Sequence, residues 1–247
     1  MSAWDLPTRI IGLSRADNWG VAVKEWELSG IEILEPGEFD ECLCGHTPIR
    51  ELCHITNRLN GNTAIVGNHC IIKFQKENPE LEIFETALRI HTAAKKILNN
   101  PEASANERLI NFARQKGALS SADATYYLGI WRKRKLTDAQ KTCKQRLNQR
   151  IIYRLILSVK GAYLRLKENS KEGTAGPKLI DFAFTHGVIQ ERAKQFYLDI
   201  WENAHEGLTV RQKTYKEDLN QKIIEQLKGF LDREDSSSDD LSEEIVG

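Results

Sequence analysis

The chain has 247 residues and no apolar run near the ~18 residues a bilayer span needs. Charged residues make up 28% and the mean hydropathy is −0.47, so a soluble protein without a membrane partner is expected. The start, "MSAWDLPTRIIGLSRADNW", lacks the basic stretch and apolar core of a secretory leader. A disulfide framework is missing too: the five cysteines are odd in number, and four lie between residues 42 and 70. These absences point to a reducing cytoplasm. Enzyme signatures are equally scarce. There is no Gly-rich phosphate loop, no G-x-S-x-G elbow and no H-E-x-x-H, and nothing pairs two carboxylates in a cleft. The chain reads as non-enzymatic.

Net charge is also absent, with 35 Lys+Arg against 35 Asp+Glu, but the balance is not local. Residues 1–45 hold nine acids and three bases, and residues 232–247 hold seven acids and one base. Residues 131–167 hold twelve bases and one acid, Asp138. So strong a local excess suggests a polyanion partner, an acidic protein partner or internal charge pairing.

The expected fold is mainly α, with a small zinc-bound β-hairpin (treble-clef-like) module and two copies of a three-helix unit. Residues 1–78 read as an N-terminal helix and strand plus the zinc module. Trp19, Val23 and Trp26 share a short helix face that Ser14 could cap, and "GIEILE" reads as a strand. "RELCHITN" and "NTAIV" flank Asn60-Gly61, a strong two-residue hairpin signal, and Asn68 reads as the cap of the next helix. Residues 79–168 read as helical and hold the first, basic repeat. Ser104 to Glu107 reads as a capping box and Gly117 as a helix stop. A long helix is expected from Thr137 to about Leu166, with Gly161 as a weak point. Residues 169–231 hold the second repeat, with Pro177 as a first helical residue. Residues 232–247, acidic and Ser-rich, are expected to be disordered.

The repeat is visible in the text. Leu109, Phe112, Gly117, Tyr127, Leu128, Ile130 and Trp131 match Leu179, Phe182, Gly187, Tyr197, Leu198, Ile200 and Trp201, 70 positions on. After a two-residue insertion, "LTDAQKTCKQRLNQRII" matches "LTVRQKTYKEDLNQKII", and both open on a Thr-x-x-Gln capping box. Shared apolar positions and caps report architecture, so Trp131 and Trp201 read as core anchors. Divergence between the copies reports function. The first copy's Arg132, Lys133, Arg134, Lys135, Lys141, Lys144, Arg146, Arg150 and Arg154 are candidate phosphate contacts to DNA or RNA. The alternative is a protein-interaction module, either a subunit of a larger assembly or an inhibitor of a host factor.

The cysteine cluster, "CLCGHTPIRELCHITNRLNGNTAIVGNHC", carries the metal reading. Cys42 and Cys44 sit in a tight turn, Cys53 on the first hairpin strand and Cys70 in the first turn of a helix. Four thiolates would make a closed structural zinc site. Cys53 and His54 point to opposite strand faces, so one of them at most faces the metal. His46, His54 and His69 stay open as substitute ligands. Cys143 reads as packing. A less favoured reading assigns His54, one of Asn57, Asn60 or Asn62, and His69 to a His-Asn-His nuclease. Against it, Cys53 stands before His54 where that type carries an acid or a second His.

The pattern C-x-C-G-H-x-P-I-R-E-L-C…V-G-N-x-C resembles a small zinc-finger-like module of uncharacterised proteins in phages, plasmids and other bacterial mobile elements. The resemblance implies Cys42, Cys44, Cys53 and Cys70 as metal ligands and a bacterial or phage-infected host cell. It implies no reaction.

Overall fold

The computed structural model describes residues 5–77, 82–203 and 207–231. The acidic segment 232–247 and the expected boundary at 78/79 lie outside the described residues. The chain is mainly helical with one three-stranded antiparallel sheet, and it forms two compact units. One unit takes the chain to Leu34 and Glu38–Leu157; the other takes Glu35–Gly37 and the chain from Ser158 on. Among the described residues no helix is long and apolar enough to cross a membrane.

In the first unit, α1 (Leu6–Leu13) starts under Asp5, whose carboxylate accepts the Thr8 N–H at 3.2 Å. Ser14 closes this helix instead of capping the next one. Its hydroxyl donates to the Ile10 carbonyl at 2.6 Å and accepts the Trp26 indole N–H at 2.8 Å. The next helix, α2 (Trp19–Ala22), is capped by Asn18 and tightens into a 3₁₀ turn, Val23–Glu25. Trp26 already belongs to β1 (Trp26–Ile33), so Trp19, Val23 and Trp26 do not share one helix. Buried Glu25 fixes this switch. Its carboxylate accepts the Arg15 and Ala16 N–H groups, both at 2.8 Å, and the Asn57 amide at 2.7 Å. Those donors, the Arg15 N–H foremost, hold its carboxyl below the usual carboxylate range.

The sheet order is β1, then β2 (Glu51–Asn57), then β3 (Thr63–Gly67), with an irregularity in β1 between Leu28 and Gly30. The hairpin forms around Asn60-Gly61, but its loop runs from Arg58 to Asn62. Asn57 builds this longer loop: its side-chain oxygen accepts from Leu59 N at 2.8 Å and Asn60 N at 3.3 Å. Asn60 and Asn62 then donate to the Leu13 carbonyl at 2.9 and 2.8 Å, tying the loop to α1. Behind the sheet run α3 (Asn68–Glu77) and α4 (Glu82–Asn99). Ile31, Leu52, Ile71, Ile90 and Ile97 are all buried in the core they share.

Next come α5 (Glu107–Gln115), α6 (Ser121–Ile130) and α7 (Asp138–Ile151). The cap of α5 is Asn106, whose Oδ1 accepts from Leu109 N at 2.8 Å, and not Ser104. Both halves of the Thr137–Gln140 capping box are formed. The long helix expected to reach Leu166 breaks earlier. After α7 the chain widens into a π-helical stretch, Ile152–Ile156, and Leu157 turns extended to pair with Ile33. Ser158 then caps α8 (Val159–Glu168), taking the Gly161 N–H at 2.9 Å. Gly161 is therefore in the first turn of a new helix and is not the weak point of an old one.

In the second unit, α8 is followed by α9 (Pro177–Thr185), α10 (Glu191–Glu202) and α11 (Val210–Leu231). Pro177 opens α9, as its missing N–H allows.

Each unit carries a buried tyrosine–asparagine network. In the first, the Tyr127 hydroxyl donates to Asn148 Oδ1 at 2.5 Å, and the Asn148 amide donates to the Pro101 and Ala103 carbonyls at 2.7 and 2.8 Å. In the second, the Tyr197 hydroxyl donates to Asn220 Oδ1 at 2.7 Å, and the Asn220 amide donates to the Ser170 and Gly173 carbonyls at 2.7 and 2.9 Å. All four side chains are fully buried, so each bond satisfies a group that water cannot reach. Burial pushes the Tyr127 hydroxyl up to about 12 and the Tyr197 hydroxyl higher still.

Candidate metal centre and basic surface

The turn after β1 delivers Cys42 and Cys44, and the first turn of α3 delivers Cys70. Gly45 makes the turn possible: its φ of +87° suits glycine, and its N–H closes onto the Cys42 carbonyl at 2.7 Å. The sulfurs of Cys42, Cys44 and Cys70 lie within 4.8 Å of one another, and all three residues are buried. Cys44 Sγ and Cys70 Sγ are 3.2 Å apart, well beyond a disulfide bond of about 2.05 Å. The Gly67 N–H donates to Cys42 Sγ at 3.3 Å. Gly67 is tightly placed, since a Cβ there would sit 3.0 Å from Ile49 Cγ2.

The three sulfurs form one electrostatic unit. Cys42 is held down to about 5, first by the Cys70 thiol that donates to it and then by the Gly67 N–H. Cys70 is pushed up by that same hydrogen bond and by burial, and burial raises Cys44. One thiolate cradled by two thiols and a backbone N–H is a donor set that a soft or borderline cation fits, exchanging protons for metal as it binds. Three close, buried cysteines that are not disulfide-bonded could thus hold a metal ion.

The structure does not bring the fourth expected ligand to them. Cys53 lies in the middle of β2, opposite Ile31 and Val66, with no exposed surface. Burial pushes its thiol up to about 12, with the charges of Glu51 and Cys42 adding to the effect. His46, two residues past Cys44, and His69, next to Cys70, line an adjoining cavity of about 250 Å³ with Glu51. His54 has its Nε2 3.6 Å from Glu32 Oε2 and lines another cavity together with Cys42 and Glu41. Among the described residues, no histidine or carboxylate joins the cysteine group. Asn57, Asn60 and Asn62, the loop asparagines of the nuclease reading, are all engaged in the loop bonds described above. Asn68 opens α3 but does not cap it: its Oδ1 accepts no hydrogen bond, and its amide donates to Glu51 at 2.5 Å. Cys143 is half-buried and takes the Arg146 guanidinium at 3.5 Å.

A polar cluster beside the cysteines had no signal in the sequence. Glu51 on β2 pairs with Lys95 and lies 3.6 Å from buried His91, both on α4, and it also accepts from Asn68. Burial pushes the Glu51 carboxyl up, but Lys95, His91 and Asn68 outweigh it and hold it low. The cluster ties α4 to the strand and helix that frame Cys70.

The nine candidate phosphate contacts divide sharply. Arg132, Lys133, Arg134 and Lys135 are exposed on the α6–α7 loop, and Lys141 is exposed at the start of α7. Arg132 lies 4.4 Å over the Trp131 ring and 3.7 Å from Glu107, and Lys141 pairs with Asp138 at 2.9 Å. Lys133, Arg134, Lys141 and Lys144 line a cavity of about 240 Å³, together with Glu102. The others are buried or half-buried. Arg150 is buried against Asp123 at 2.7 Å, and Lys144 is buried. Arg146 and Arg154 are half-buried, with Arg154 donating to the Gly117 carbonyl at 3.2 Å. Trp201 is buried with its indole N–H on the Ala175 carbonyl at 2.7 Å, and Trp131 is half-buried against the core.

No family model, no curated protein and no solved structure matches the chain.

Proposed function

We propose that the chain is a non-enzymatic, zinc-stabilised nucleic-acid-binding protein of a bacterial mobile element. Zinc is held by Cys42, Cys44 and Cys70 in a treble-clef-like module, with the fourth position filled from His46 or His69. The metal is structural: it fixes the turn after β1 to the start of α3, next to the Glu51 cluster that holds α4. The helices α5–α7 and α9–α11 are two copies of one three-helix unit. The matched capping boxes and the two tyrosine–asparagine networks support that reading.

One observation carries the binding function. Four consecutive exposed cations stand on one loop, and Lys133, Arg134 and Lys135 have no ion-pair partner among the described residues. Unpaired neighbouring cations repel one another, and phosphates relieve that repulsion while releasing their counterions. Lys141 flanks the loop. Arg150 serves Asp123 and drops out of the contact set. The test is gel retardation of DNA and RNA at low and high salt. Salt-sensitive retardation is expected, and it should be lost when Arg132, Lys133, Arg134 and Lys135 are all changed to Glu. No retardation at low salt would refute the reading.

A further inference from the structure

The second unit holds a groove of about 730 Å³ between α10 and α11. Its floor is apolar, made by buried Ile189, Ala193 and Leu219. Phe196 and Tyr215 meet edge to face along it, with ring centroids 4.9 Å apart. Three cations line it, Arg192, Arg211 and Lys222, and among the described residues no acid does. All three are exposed, and none has an ion-pair partner among the described residues.

The matched positions of the first unit show what is unusual here. There the sequence has Ala122, Asp123, Ala139 and Arg150. Asp123 and Arg150 neutralise each other at 2.7 Å. In the second unit those positions are Arg192, Ala193, Arg211 and Lys222. The acid is gone and two cations are added. A packing role does not require three unpaired positive charges beside an apolar floor. A ligand carrying both acids and apolar side chains does.

We propose that this groove is the seat of the chain's own residues 232–247. The charges are complementary: the segment has seven acids and one base, Arg233. It also supplies Leu241, Ile245 and Val246 for the floor. The tether is short enough. The segment follows α11 directly, and Lys222 and Arg211 lie about 14 and 30 Å back along that helix from Leu231. Its sixteen residues can reach about 50 Å when extended. Tethering raises the effective concentration of the segment at the groove to the order of millimolar, so weak contacts suffice. The proposal stands apart from the nucleic-acid reading of the α6–α7 loop.

The test uses the full chain with a photo-cross-linking residue, p-benzoylphenylalanine, in place of Leu241. After irradiation, cross-links should map by mass spectrometry to residues 189–196 and 211–222 of the same chain. Changing Arg192, Arg211 and Lys222 to Glu should cut that yield at least about fivefold, since each exposed pair is weak but three act together. Changing Arg132–Lys135 to Glu should leave it unchanged. Because all three groove cations are exposed, the variant's melting curve should match that of the parent, which separates lost docking from lost folding. Three results would overturn the proposal. One is cross-linking centred on residues 132–135. Another is cross-linking between differently isotope-labelled chains. The third is a groove variant that loses nucleic-acid retardation while its cross-link yield is unchanged, which would assign the groove to nucleic acid.

Discussion

The helices α5–α7 and α9–α11 bury the same hydrogen-bonded pair and then treat their surfaces in opposite ways. Inside, Tyr127 with Asn148 and Tyr197 with Asn220 satisfy the loop carbonyls before α5 and α9. Outside, the first segment raises four cations on its α6–α7 loop and closes the α6–α7 side with the Asp123–Arg150 pair. The second keeps Trp201, Glu202 and Asn203 where those loop cations begin, and opens a cationic groove instead. Charge summed over a segment therefore misleads. The α5–α7 segment is richer in bases, yet Arg150 is spent on Asp123. The α9–α11 segment is mixed in sign, yet three of its cations converge.

The largest effect should separate the two units by their need for metal. Chelation, or Cys70→Ser, should lower metal content from about one zinc per chain to near zero and melt the first unit, leaving the helical signal of α8–α11. Cys53→Ser should retain the metal, because Cys53 lies outside the sulfur group. Metal analysis with thermal melting reads all three outcomes, and loss of metal in the Cys53 variant would restore the four-cysteine site.

The shared interior gives the next test. Asn148→Ala and Asn220→Ala each remove the acceptor of a buried tyrosine hydroxyl and the donor to two carbonyls, while Tyr127 keeps the Ala105 N–H, so each should cost about 2–4 kcal/mol by denaturant unfolding. Equal costs would support two copies of one unit. A neutral variant in either would break the comparison.

The divergent exterior predicts less. Asp123→Ala removes the carboxylate that lies 2.7 Å from nearly buried Arg150, and should cost about 1–3 kcal/mol. The reverse change, Ala193→Asp, places a carboxylate on the buried floor beside exposed Lys222, whose weak pairing does not offset the desolvation, and should cost about 1 kcal/mol. The two changes can be compared by their chemical-denaturation midpoints.

The smallest effect concerns acid. Glu25 is held ionised by the Arg15 and Ala16 N–H groups and by Asn57. Its folded pKa is lowered, so its contribution is whole above the ordinary carboxylate range and disappears as pH falls through the folded value. Glu25→Gln should flatten that part of the stability–pH curve of the first unit and leave the second unit unaffected.

Local chemistry is legible in the sequence, and long-range placement is not. The Thr137–Gln140 box, Pro177, the hairpin around Asn60-Gly61 and the three clustered cysteines all depend on neighbours in the chain. Cys53 departs from the expected ligand set because its surroundings are set by Ile31 and Val66 on partner strands. The break at Leu157 has no local signal, and the residue it pairs with, Ile33, lies far back in the chain on β1. Ser158 reads as an interior helix residue by sequence, and only that break makes it a cap. The cationic groove emerges from a position-by-position comparison of the two segments, which a count of charges does not make.

The α6–α7 loop is the point on which the proposed function turns, and the salt dependence of nucleic-acid affinity measures it directly. Fluorescence anisotropy with a labelled duplex should give a log K that falls with log salt, with a slope of about −4.5 if the four loop cations and Lys141 neutralise phosphates. Changing Arg132, Lys133, Arg134 and Lys135 to Gln should remove most of that slope and most of the affinity. An unchanged slope in the Gln variant, or no binding by the parent chain at low salt, would contradict the account.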